Sequence, residues 1–261
     1  MKDILVTLLP ILTLSCAAPP STLPHDAEYL VVVKCARLSS NLNWFARFAE
    51  HSWVDIKRPD GWTRVECPRV LSNFLSDRPD GAKQDVTLIS QAVNDIRGEV
   101  GFADFRWNNK IHVVASFSGH EAKRIGERIM EVADYYPFTE DYRAWPGPNS
   151  NTFVEWLSHQ VDGFAFALYP NAIGKDYGGW GHIGTTTTRT GIEFETAALG
   201  LQLGLKEGVE VHFLGLTIGV GLWPPQLKLP FLPGIPFEIF TGDSASNTEL
   251  SLLPDFAPTT R

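Results

Sequence analysis

The spacing of apolar positions changes several times along the chain, and each change marks an element. Residues 29–36 (YLVVVKCA) form a β-branched apolar run, as in a strand buried on both faces. Residues 42–50 place Trp44, Phe45 and Phe48 on one side of a short helix. The stretch 51–57 (HSWVDIK) alternates Val54 and Ile56 against Trp53 and Asp55. Arg58-Pro59-Asp60-Gly61 then supplies turn chemistry before residues 62–67 (WTRVEC), which predicts a hairpin with His51 at its entrance. Between 85 and 97, Val86, Ile89, Val93 and Ile96 recur at helical spacing and Gly98 ends the run. Asn108-Asn109 joins segments 104–107 and 111–117 in a second predicted hairpin. Ser118 and Glu121 fit a capping box for a helix that carries Ile125, Ile129, Val132 and Tyr136 and stops at Pro137.

Residues 142–157 (YRAWPGPNSNTFVEWL) predict a short strand, a Pro-Gly-Pro turn and a helix. Thr152 and Glu155 are read as its capping box, and Phe153, Trp156, Leu157 and Val161 as its buried stripe. After Thr190 the period becomes two. Residues 191–205 and 209–223 alternate apolar with small or polar residues, and 226–240 is punctuated by proline, as in antiparallel strands joined by Gly-rich turns. Glu193, Glu195, Lys206, Glu207 and Glu210 interrupt any continuous helical span there, and the exposed strand faces are suited to a lipid or protein contact.

Composition narrows the class. The chain has 261 residues, 44% hydrophobic and 20% charged, which excludes disorder as a whole-chain description. Its 22 Lys+Arg against 30 Asp+Glu give a net charge of −8, with no basic run, so nucleic acid is not an expected partner. The apolar run 4–14 followed by Ser15-Cys16-Ala17-Ala18 is too short to span a bilayer and matches the apolar region of a secretory signal. Leu12-Thr13-Leu14-Ser15-Cys16 resembles a bacterial lipobox, with Thr13 where that motif usually has Leu. Residues 1–20 are thus expected to be a targeting segment. Export follows, either as a membrane-anchored lipoprotein modified at Cys16 or as a periplasmic or envelope protein after ordinary cleavage near Ala17 or Ala18. Cys35 and Cys67 then either pair in an oxidising compartment or remain buried thiols.

Candidate chemistry centres on Ser150. A helix N-terminus concentrates unpaired N–H groups and partial positive charge, which stabilise an oxyanion; equally, Asn149, Ser150 and Thr152 are ordinary capping residues. Gly179-Trp180-Gly181-His182-Ile183-Gly184 satisfies GxGxxG, but threonines follow in place of a helix, and the segment is read as a flexible loop. Gly174-Lys175-Asp176 lacks the flanking residues of a phosphate-binding loop. The seven histidines show no HExxH and the three cysteines no CxxC, so no metal site and no cofactor are expected.

Residues 144–154 (AWPGPNSNTFV), preceded by Gly119-His120-Glu121-Ala122 and Tyr135-Tyr136-Pro137-Phe138 and followed by 172–177 (AIGKDY), closely resemble the bacterial domain-of-unknown-function family 3750, over roughly 31–240. More remotely, Glu50-His51-Ser52-Trp53-Val54 and Asn149-Ser150-Asn151-Thr152-Phe153 look like the His strand and the nucleophile helix of circularly permuted papain-like proteins, such as the PPPDE peptidases and the lecithin-retinol-acyltransferase type. Ser150 stands where those proteins have Cys.

These resemblances imply an α+β protein. A permuted papain-like core with mostly antiparallel sheet is expected over 29–184, a β-rich extension over 191–240, and a flexible tail over 241–261. Two functions follow from the same elements. One is an amide or ester hydrolase or acyltransferase with Ser150 as nucleophile and His51 as general base. The other is a catalytically silent envelope protein that binds a small molecule, peptide, glycan or lipid group in a cleft lined by Trp53, Trp145, Asn149, Asn151 and Trp156.

Overall fold

Among the described residues, two antiparallel sheets lie with two α-helices beside them. The computed structural model describes residues 23–24, 26–38, 48–67, 89–91, 111–138, 141–232 and 234–236. The β-branched run becomes β1 (Leu30–Arg37), which pairs with β2 (Glu50–Arg58) on one side and β5 (Ile111–Ser118) on the other. Pro59-Asp60 turns β2 into β3 (Gly61–Val65), and β4 (Ile89–Gln91) closes the edge, giving the order β4-β3-β2-β1-β5. Helix α1 (Gly119–Val132) follows β5, runs into a 3-10 turn (Ala133–Tyr135), and α2 (Ser150–Gln160) follows after a loop.

Strand alternation divides the first sheet into two unlike faces. Val31, Val33, Val54, Ile56 and Val65 project toward the helices, where they meet Ile125, Ile129, Phe153, Leu157 and Phe164 in one core. Each of these large side chains contributes ~1.5–3 kcal/mol by leaving water. On the opposite face, Lys34 Nζ and Arg64 Nε hold Asp55 at 3.0 and 2.8 Å, and the Arg64 guanidinium lies 4.8 Å from the Trp53 ring centre. All four residues are buried, so this is a closed ionic layer.

The second sheet is a meander: β6 (His182–Thr185), β7 (Gly191–Glu195), β8 (Leu199–Gly204), β9 (Gly208–Phe213), β10 (Leu216–Leu222), β11 (Pro225–Lys228) and β12 (Ile235–Pro236), hydrogen-bonded in sequence order. Its polarity is inverted relative to an ordinary sheet. The buried face carries Glu193, Glu195, Gln202, Glu210, His212, Thr217 and Lys228. The exposed face carries Ile192 and Phe194 on β7, Leu199, Leu201 and Leu203 on β8, Val209, Val211 and Phe213 on β9, and Ile218, Val220 and Leu222 on β10. Among these outward positions there is no charged side chain.

Several expectations are corrected. Ile89–Gln91 is a strand where the sequence predicted a helix over 85–97; three residues satisfy either period, and pairing with β3 decides it. The rest of that helix, residues 42–47 of the helix predicted over 42–50, the strand at 104–107, the targeting segment with Cys16 and the tail over 241–261 lie outside the described residues, while Glu50, the last residue of the predicted 42–50 helix, begins β2 instead. Ser118 precedes α1, but its side chain makes no capping hydrogen bond. Residues 142–145 form no strand, because the Arg143 N–H turns back to the Pro148 carbonyl. His182–Thr185, placed in a flexible loop by its glycines, is a strand that pairs with β7. Cys35 and Cys67 are buried free thiols, and burial raises the pKa of both, that of Cys67 to about 12.

Candidate functional site

The motif 149–152 proves to be a set of ties between distant segments. Asn149 caps α2: its side-chain oxygen accepts from the N–H groups of Asn151 and Thr152, and its own N–H donates to Thr152 Oγ1 at 3.0 Å. The capping box is therefore Asn149 with Thr152, one turn earlier than Thr152 with Glu155. Asn149 Nδ2 donates to the Ile173 carbonyl at 2.9 Å, and Asn151 Nδ2 donates to Glu50 O at 2.9 Å and Ile173 O at 2.8 Å. Thr152 Oγ1 donates to Gly174 O. Gly174 has φ +87°, and a Cβ there would lie 2.4 Å from Asn149 Nδ2, so both conformation and space require glycine. The two sequence motifs, 144–154 and 172–177, are thus two sides of one hydrogen-bonded joint.

The same geometry separates the expected dyad. Ser150, 3% exposed, heads the α2 stripe of Phe153, Val154 and Leu157 that packs on the helix-facing side of the first sheet. His51 is one strand position out of phase with Ser52 and Val54. It belongs with Trp53 and Asp55 on the other face, where its Nε2 lies 3.3 Å from Glu66 Oε2 and its ring 5.7 Å from that of Trp53. Alternation along β2 therefore sets the two side chains on opposite faces.

The expected cleft set disperses for the same reason. Trp53 is buried with the ionic layer. Trp156 packs against Tyr136 and Phe153, Trp145 is 46% exposed, and Asn149 and Asn151 are consumed by the joint.

Beyond the joint, the chain delivers Lys175 and Asp176 to the polar face of the second sheet. Lys175 pairs with Asp176 and lies 3.6 Å from Glu210; Lys228 also pairs with Glu210. His212 is clamped by both ring nitrogens, Nδ1 at 2.7 Å from Glu195 Oε1 and Nε2 at 3.2 Å from Glu210 Oε2. Thr217 Oγ1 donates to Asp176 Oδ2, and Gln202 Nε2 reaches both Asp176 and Glu193 at 3.3 Å. Burial works against an imidazolium here, but Asp176 and the two hydrogen-bonded glutamates outweigh it and raise the His212 pKa to about 9. Burial raises the Glu155 and Glu195 carboxyls, whereas Glu210 is held below the usual range by Lys175, His212 and Lys228 despite its burial.

At the rim of this layer, three elements converge: His159 in the last turn of α2, His182 at the start of β6, and Glu193 on β7. Glu193 Oε1 lies 3.2 Å from His159 Nε2 and 3.3 Å from His182 Nε2, and the imidazole centres are 5.3 Å apart. A second group of potential ligand atoms, from Asp176, Glu195 and His212, is fully buried beside Lys175. The sequence reading missed both sets because spacing rules detect ligands on one element, and these assemble only when the second sheet docks on α2.

No curated protein and no solved structure matches the chain. A family model described as a protein of unknown function (DUF3750) matches residues 29–177. The match stops at Tyr177, short of the second sheet, whereas the sequence reading carried the resemblance to 240. It covers more than half of the 261 residues and includes both sides of the joint, and the chain belongs to the DUF3750 family.

Proposed function

We propose that this protein is a non-catalytic component of the bacterial envelope that lies against a lipid surface through the outward face of its second sheet. One observation carries the reading: the contiguous apolar face of β7–β10, with its polar counterpart turned inward. Soluble monomers rarely expose contiguous apolar patches above ~300–600 Å², and eleven large apolar side chains on four adjacent strands make a broader surface than isolated hydrophobics do.

Lipid is favoured over a second copy of the chain by two further features. The outward strand positions carry no charge to set a register between two sheets. Exposed aromatics sit at both strand ends: Phe213 and Trp180 beside the β7–β8 turn, and Trp223 at the β10–β11 turn, as at membrane interfaces. The longest strand of the second sheet, β10, has seven residues, about 23 Å at ~3.3 Å per residue, short of the ~30 Å hydrocarbon core. The strands are therefore too short to span the bilayer upright, and the sheet lies with its apolar face against the membrane surface. Among the described residues no helix is long and apolar enough to cross a membrane. A lipid on Cys16, expected from the sequence, would supply the second anchor that stable attachment requires.

The hydrolase reading is not preferred, because the face assignment of His51 and Ser150 leaves the hydroxyl without its base. Flotation with neutral phosphatidylcholine vesicles tests the proposal on the full chain carrying Cys16→Ser, so that only the sheet contributes. The protein should float, and adding Leu201→Glu with Val211→Glu should release it to the soluble fraction. Equal flotation of both proteins, or a stable dimer whose formation abolishes vesicle binding, would overturn the lipid assignment.

A further inference from the structure

The His159–His182–Glu193 cluster has no part in the joint and faces away from the apolar surface. We propose that these three side chains form a binding site for a divalent transition-metal ion of the zinc class, with a fourth position open to water.

Geometry is the first support. In a tetrahedral zinc site with bonds of ~2.0–2.1 Å, neighbouring ligand atoms are ~3.3–3.4 Å apart. The two Nε2-to-Oε1 separations, 3.2 and 3.3 Å, already match that edge. All three ligand atoms lie within 4.8 Å of one another. Two imidazoles and one carboxylate suit zinc, and also nickel or cobalt, better than calcium or magnesium, which take oxygen ligands.

The surroundings supply a second shell and an entry path. Gln202 Nε2 donates to Glu193 Oε2 at 3.3 Å, which fixes the carboxylate with Oε1 directed at the histidines. Gly184 lies two residues after His182 on the same side of β6. A Cβ at that position would sit 2.6 Å from His182 Nε2, so glycine leaves the space that the imidazole occupies. The His182 side chain is 43% exposed while Glu193 is 2% exposed, so the site is anchored inside and reachable from outside. The glycine-rich segment 179–184, which fits no nucleotide site, acquires a role here.

The other candidate group explains by contrast why the rim is the site. Both His212 nitrogens are taken by glutamates, and the ammonium of Lys175 already neutralises Asp176. A cation entering there would displace formed ion pairs, whereas at the rim the ligands need only give up contacts with one another.

The test is calorimetric titration of zinc into the chelator-treated full chain, with cobalt absorption as a geometric readout. One equivalent of zinc should bind, and cobalt should show the intense visible bands of tetrahedral coordination. His182→Ala, at the exposed position, should weaken binding at least tenfold and abolish those bands without altering the circular dichroism spectrum. Glu193→Gln should do the same; if that buried change prevents folding, His182→Ala alone decides. Absence of zinc binding, or zinc binding unchanged by His182→Ala, would overturn the proposal.

Discussion

Asn151 donates both amide hydrogens to carbonyls from different parts of the chain, Glu50 and Ile173, whereas the Ser150 hydroxyl has no hydrogen-bond partner among the described residues. The difference predicts opposite responses to truncation. Asn151→Ala strips buried carbonyls of their donors and should cost ~1–3 kcal/mol. Ser150→Ala should stay within ~0.5 kcal/mol, since Asn149 rather than Ser150 is the N-cap and the change removes no hydrogen bond among the described residues. Urea unfolding midpoints at unchanged slope measure both. A large loss at Ser150 with none at Asn151 would contradict the joint. At this scale the sequence was legible in its choice of segment but not of role: it singled out 149–152 and 172–177 together. Capping and catalytic serines share one position at a helix start, and only the phase of His51 along β2 distinguishes them.

Elements built on a sustained period were readable from sequence. Leu30–Arg37, the Pro59-Asp60 hairpin, α1 and the body of α2 occur where apolar spacing put them. Alternation beyond Thr190 also indicated antiparallel strands, but not which face is turned inward, because burial depends on what docks against the sheet. Here α2 and the 172–177 loop bring charge, so the charged face is buried. This inversion has a pH signature. His212 is clamped between Glu195 and Glu210 and faces Asp176 and Lys175, with a folded pKa of about 9, above the ~6.5 of an unfolded histidine. A raised histidine contributes stability that is complete below ~6.5 and is lost as pH rises through about 9. Glu195, also raised, acts in the same direction above the ordinary carboxylate range. The melting temperature should therefore fall between pH 6.5 and 9, and His212→Gln should flatten that slope. A melting temperature that rises across this window would show that the buried face is not held by the imidazolium.

For the whole molecule, the layers run from the closed ionic face of the first sheet, through the apolar core with its helices and the polar layer, to the bare apolar face of the second sheet. Each inner layer is covered by the next, and the last has no cover among the described residues. A family match ending at Tyr177 assigns the joint to the shared part of the chain, while the second sheet lies beyond it. The most direct measurement is the accessibility of a nitroxide attached at Val211, on the outward face, compared with one at the exposed Glu131 on α1. Cys16→Ser leaves Cys35 and Cys67 as buried thiols. On adding phosphatidylcholine vesicles, the Val211 label should become more accessible to oxygen and less accessible to a polar nickel complex, while the Glu131 label stays unchanged. Identical behaviour at both positions, or no change at Val211, would contradict the lipid-facing sheet.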